Sequence, residues 1–150
     1  MKGVYRYTIL EEINLIIQFY QGDITLSGLK NMKRNLFRDK CYNPEYKVLS
    51  DVRLSNNSLT LEEVEEYGTW VGKKLQAARV NLNTILTSTP QQVVQSMMFS
   101  LNKNLKKDSY MVFSTLESAL LFLKIDISYF EVIETEIDKI KDIPRTRSVF

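Results

Sequence analysis

The residues of this chain best suited to chemistry are one charged pair and a set of hydroxyls. Asp51 and Arg53 stand two apart in the β-rich run Tyr46 to Leu54, and strand alternation sends both side chains to one face. Close to the C-terminal edge of a parallel sheet, where ligands of open α/β sheets bind, such a pair can hold an anion; closed on itself, it is a structural ion pair. Serines and threonines crowd the strand-to-helix corners: Ser55, Ser58 and Thr60 at one, Thr87, Ser88 and Thr89 at the next, Ser114 and Thr115 at a third. These side chains cap helices. Converging helix N-termini also present amide donors to an anion, and an exposed hydroxyl is open to a kinase. Asp51, Arg53, Thr87, Ser88 and Thr89 are therefore the ligand-binding candidates, and Ser55, Ser58 and Thr60 the partner or phosphorylation candidates.

Other chemistry finds little support. The chain has no histidine, which removes the commonest general base and metal ligand. Its single cysteine, Cys41, excludes an intramolecular disulfide and any multi-cysteine metal site. The acidic pairs Glu11/Glu12, Glu62/Glu63 and Glu65/Glu66 are adjacent in sequence and point to water, and no glycine-rich phosphate loop is present. No catalytic residue, metal or cofactor is expected, and the chain reads as non-enzymatic. A net charge of +2 makes no directional field, and the clusters Lys30, Lys33, Arg34 and Lys103, Lys106, Lys107 read as solvated helix faces rather than a nucleic-acid stripe. No segment approaches the roughly 18 apolar residues of a membrane span. A cytoplasmic protein without nucleic acid is expected.

The elements that must position these residues follow from the pattern. With 150 residues, 44% of them apolar, the chain has the length and composition of one globular domain. Val4 to Leu10 and Ile13 to Tyr20 predict a β-hairpin, punctuated by Gly22 and Asp23. Thr25 caps a helix through Arg38, with Leu26, Leu29, Met32 or Lys33, Leu36 and Phe37 as its stripe. Tyr46 to Leu54 is a third strand, followed by a turn at 55–58 and a capping box, Thr60 with Glu63. That helix has Leu61, Val64, Tyr67 or Gly68, Val71, Leu75 and Ala78 on its buried stripe, with Trp70 at the edge. A fourth strand begins at Asn83 and ends at a second box, Thr89 with Gln92; in the helix after it Val93, Val94, Met97, Met98 and Leu101 face inward. The apolar run Met97-Met-Phe99 exceeds what one buried stripe needs, so it is either extra core or a partner patch. Tyr110 to Phe113 is a fifth strand, with a third capping box at Ser114 to Glu117. A last amphipathic helix, Ser128 to Ile140, presents Phe130, Ile133, Ile137 and Ile140 on one face. The order ββαβαβαβα implies an α/β fold with a mixed, mostly parallel five-stranded sheet, antiparallel only in its first hairpin.

The Gly22-Asp-Ile-Thr25 step into the first helix, the strand Lys47-Val-Leu-Ser-Asp-Val-Arg53 with its Ser/Asn loop, and the closing Val112-Phe-Ser-Thr-Leu-Glu-Ser-Ala119 resemble the STAS domain (sulfate transporter and anti-sigma factor antagonist), of the small stand-alone bacterial STAS/Sec14-like type. The resemblance implies a STAS-like domain over residues 1–125 with an appended helix and polar tail over 126–150. It implies a regulatory or protein-interaction module, whose antagonist members carry a phosphorylated serine in an Asp-Ser-Ser/Thr-Gly motif after the third strand. Here that loop reads Leu54-Ser-Asn-Asn-Ser-Leu-Thr60, without the aspartate, the paired hydroxyls or the glycine. Docking of a protein partner or a second copy through Ser55 to Ser58 is the first expectation. Its alternative, implied by the Sec14-like and stand-alone relatives, is a small anionic or lipid-like ligand at the C-terminal edge of the sheet.

Overall fold

The computed structural model describes residues 2–76, 81–107 and 109–141. Strands β1 (Val4–Leu10) and β2 (Leu15–Ile24) form the hairpin, joined by a single 3-10 turn at Glu11–Ile13. Asn14 closes that turn at φ 53°, a left-handed conformation that asparagine tolerates better than most residues. Then α1 (Leu26–Arg38), β3 (Lys47–Asn57), α2 (Leu61–Lys74), β4 (Asn83–Leu86), α3 (Pro90–Ser100) and β5 (Tyr110–Phe113) alternate, and α4 (Leu116–Phe122) and α5 (Phe130–Lys141) follow. The sheet has the order β1-β2-β3-β4-β5, antiparallel between β1 and β2 and parallel thereafter. Successive crossovers of one hand stepping in one direction leave α1, α2 and α3 on the same face. Helices α4 and α5 cover the other.

Both faces of β2 are therefore buried, which is why its apolar residues run on without alternation. Leu15, Ile17 and Phe19 pack with Leu49 and Leu86 against Leu116, Leu120 and Leu123 of α4 and Ile133, Ile137 and Ile140 of α5. The helix expected as an addition after residue 125 thus shares the principal core of the sheet. Ala78 and the tail at 142–150 lie outside the described residues.

On the opposite face Tyr20 and Ile24 meet Leu29 and Met32 of α1 and Tyr67 and Val71 of α2. An aromatic series crosses this layer, Phe37 to Trp70 to Tyr67 to Phe99 to Tyr110, with centroids 5.4 to 6.2 Å apart. Trp70, second in the series, has Lys30, Arg34 and Lys74 within 5.4 to 5.8 Å of its ring centroid.

Five local expectations differ from the structure. Gly22 and Asp23 do not end the second strand, and residues 55–57 are not a turn. The register shifts between Phe19 and Gln21, Gly22 takes φ 75°, and β2 then runs on beside Ser55, Asn56 and Asn57. Parallel pairing satisfies the backbone groups of both segments, which outweighs their turn propensity. The cap of α4 is Thr115, whose Oγ1 accepts from the Ser118 amide, rather than Ser114. Leu61, expected on the buried stripe of α2, is exposed at its first turn.

The largest difference lies in α3. Helix α3 is turned so that Gln92 and Ser96 are buried, while Val94, Met97, Met98 and Leu101 are exposed, Leu101 to 74%. Gln92 fixes that rotation. Its Oε1 accepts from the amides of Ser88 (2.7 Å) and Thr89 (3.2 Å), and its Nε2 donates to the carbonyls of Arg53 (3.2 Å) and Ser55 (3.1 Å). Four bonds from one buried amide cap the helix and tie it to the end of β3; exposing the apolar stripe is the consequence.

Candidate functional site

The C-terminal edge of the sheet holds every sequence-predicted site residue, and most of them are already engaged. Asp51 is 1% exposed, and Arg53 grips it through Nε and Nη2, each at 2.9 Å, with its own amide on Oδ1 at 3.1 Å. The pair lies on the α4/α5 face. The hydrogen bond to Asp51, then the fields of Asp51, Asp138 and Glu134, hold the guanidinium's pKa above its usual value. A cation so surrounded by carboxylates is a structural ion pair, and its attraction for a further anion is largely cancelled by its neighbours. Arg53→Met, which leaves Asp51 buried and unpaired, is expected to lower the unfolding free energy by about 2 kcal/mol, the guanidinium's partial exposure discounting a fully buried pair. Urea denaturation measures it; an unchanged midpoint would remove the pair from the stabilising contacts.

The hydroxyls are spent on local structure. Thr87, fully buried, donates to the Phe113 carbonyl (3.3 Å), and Ser88 to that of Arg53 (3.0 Å). Thr89 and Thr60 are N-caps, accepting from Gln92 (3.2 Å) and Glu63 (3.1 Å) in complete capping boxes. Ser55 is buried and donates to the Val52 carbonyl (2.7 Å). Ser58 alone of the three partner or phosphorylation candidates combines exposure with a position outside a cap.

A concave site does exist, but on the other face. A half-enclosed cavity of about 100 Å³ lies between the sheet and helices α1, α2 and α3. Its walls are mainly apolar and aromatic, with Leu29, Val71, Tyr67, Phe99 and Tyr110 among them. Two polar side chains in it are anomalous. Gln18, 1% exposed at mid-β2, donates from Nε2 to Ser50 Oγ at 2.9 Å, while its Oε1 is buried without a hydrogen-bond partner. Lys33, 8% exposed, turns in from α1 instead of joining Lys30 and Arg34 on the surface, and burial pushes its pKa down to about 8. Among the described residues no acidic side chain lines the cavity. The sequence carried a signal for both: Gln18 interrupts an apolar strand, and Lys33 occupies a stripe position four residues after Leu29.

Among the described residues no group of three or more histidine, cysteine or acidic side chains could hold a metal ion, and no helix is long and apolar enough to cross a membrane.

No family model matches the chain, and no curated protein sequence does. A solved structure does match: an uncharacterised protein of the DUF3478 family with a SpoIIAA-like fold, from Shewanella loihica PV-4. It is 13% identical, with a TM-score of 0.53 over 81% of this chain and 93% of that one. The fold of this chain is SpoIIAA-like, the STAS-type architecture that the sequence resemblance implies, and the likeness extends to the fold alone.

Proposed function

From a SpoIIAA-like, STAS-type fold, we propose that the chain is a non-enzymatic cytoplasmic module that works by protein association, and that a second copy of the chain docks on the outer face of α3. The observation that carries this reading is the inverted helix. Val94, Met97, Met98 and Leu101, spaced i, i+3, i+4, i+7, form one exposed apolar stripe, and α3 has no charged residue from Pro90 to Ser100. An apolar stripe in water gains by being covered, at roughly 25 cal/mol per Å². A neutral face meets its own copy across a two-fold axis without like-charge repulsion, so self-association needs no complementary partner surface.

Sedimentation equilibrium tests the reading. A dimer is expected at about 100 μM, where even weak self-association is populated, and Leu101→Lys is expected to give a monomer with an unchanged circular dichroism spectrum. A wild-type monomer at that concentration, or a dimer indifferent to Leu101→Lys, overturns it.

A further inference from the structure

The cavity beneath α1, α2 and α3 is separate from the outer face of α3 and has a chemistry of its own. Whichever way the Gln18 amide is turned, Ser50 serves one of its ends and the other is left open: Oε1 as it stands, Nε2 if the amide is reversed. A buried polar atom without a partner is costly, and native folds retain few of them. Lys33 brings a second unmet demand, an ammonium group in a space whose lining holds no carboxylate to neutralise it. The polar groups that line the cavity with Lys33 from the other elements, among them Gln18 and Tyr20 of β2, Tyr67 of α2, Gln92 of α3 and Tyr110 of β5, are all uncharged at neutral pH. The Lys33 cation, the open Gln18 amide and mainly apolar, aromatic walls make up the pattern of a small-molecule site, with polar groups set in an apolar cleft.

We propose that this cavity binds a small hydroxylated monocarboxylic acid, its carboxylate on Lys33, its hydroxyl on the Gln18 amide and its apolar body against Leu29, Tyr67 and Phe99. A hydroxyl both donates and accepts, so it satisfies either orientation of the amide. A carboxylate supplies the charge that Lys33 lacks. The volume limits the body: about 100 Å³ is two-thirds of a cavity known to admit benzene, so a short aliphatic chain or one ring reaching toward the open side fits, and a long-chain lipid does not.

The test uses the full chain with 4-hydroxybenzoate, 3-hydroxybenzoate and 3-hydroxybutyrate as probes, and benzoate and 4-hydroxybenzyl alcohol as controls lacking the hydroxyl or the charge. Thermal shift and the NMR signals of the Gln18 side-chain amide are followed up to about 10 mM, where a millimolar ligand saturates. At least one hydroxy acid is expected to bind with saturating Gln18 shifts, about tenfold more tightly than its matched control. Lys33→Met is expected to weaken that acid about tenfold while remaining folded, and Gln18→Leu to erase the preference for the hydroxyl. No saturable shift with any of the three acids overturns the proposal. So does binding unchanged in Lys33→Met, or an acid whose shifts fall outside the cavity.

Discussion

A chain stopped after Ile125 is expected to lose cooperative unfolding altogether. Ile133, Ile137 and Ile140 are each at most 4% exposed and lie in the same cluster as Leu10, Leu15, Ile17 and Phe19. Full burial of such a side chain contributes about 1.5 to 3 kcal/mol, so the three together contribute roughly 5 to 9, against a total of about 5 to 15 for a domain. The loss also uncovers the apolar residues beneath them. Arg6 Nη1 donates to the Ile140 carbonyl at 2.7 Å, so the end of α5 is satisfied from β1, an element far away in sequence. In the full-length protein Ile137→Ala alone is expected to cost about 2 to 5 kcal/mol. A sigmoidal urea transition from the 1–125 fragment, with near-ultraviolet circular dichroism like that of the whole chain, would refute the argument.

What the sequence made legible was local. Thr25, Thr60 and Thr89 were readable as caps because the atoms that make a cap lie within three residues of it, and the structure has all three bonds. The hairpin and the parallel order follow from the succession of strand-like and helical runs, and the placement of Asp51 beside Arg53 from the period of two along their strand. The rotation of α3 was not legible, because the partners that set it are the carbonyls of Arg53 and Ser55, 39 and 37 residues from Gln92. Hydrophobic spacing then pointed the wrong way: a stripe at i, i+3, i+4, i+7 says which side chains share a face, not whether that face is covered. The extension of β3 through Asn57 failed for a related reason, since turn-forming residues were recruited by the bulged end of β2. The cavity depends on the spacing of three helices over one sheet, a quantity no window of sequence contains; only its two misfit residues, Gln18 and Lys33, could have marked it.

Stability is expected to rise with pH from about 8, and Lys33 is the reason. Its pKa falls from 10.5 to about 8 on folding, through burial alone. Below pH 8 both states carry the proton, and the folded state bears the full cost of burying the charge, up to about 3 kcal/mol for a shift of this size. Between pH 8 and 10.5 the unfolded chain still holds the proton that the folded chain has released, so raising the pH favours folding. Tyrosines then reverse the trend. Burial raises the pKa of Tyr20, Tyr67 and Tyr110, and that of Tyr7 and Tyr42 to about 12, so above pH 10 the folded state keeps protons that the unfolded state loses. The two effects place the maximum of stability between pH 8 and 10.5, above the neutral range usual for proteins. Lys33→Met keeps the apolar stem and removes the charge; it is expected to stabilise the protein at pH 7 by about 2 kcal/mol, to abolish the rise and to leave the alkaline fall. Urea midpoints at about pH 7, 9 and 11 for the two proteins measure this, and a wild-type midpoint that is flat or falling from pH 7 to 9 would mean that Lys33 reaches water in the folded state.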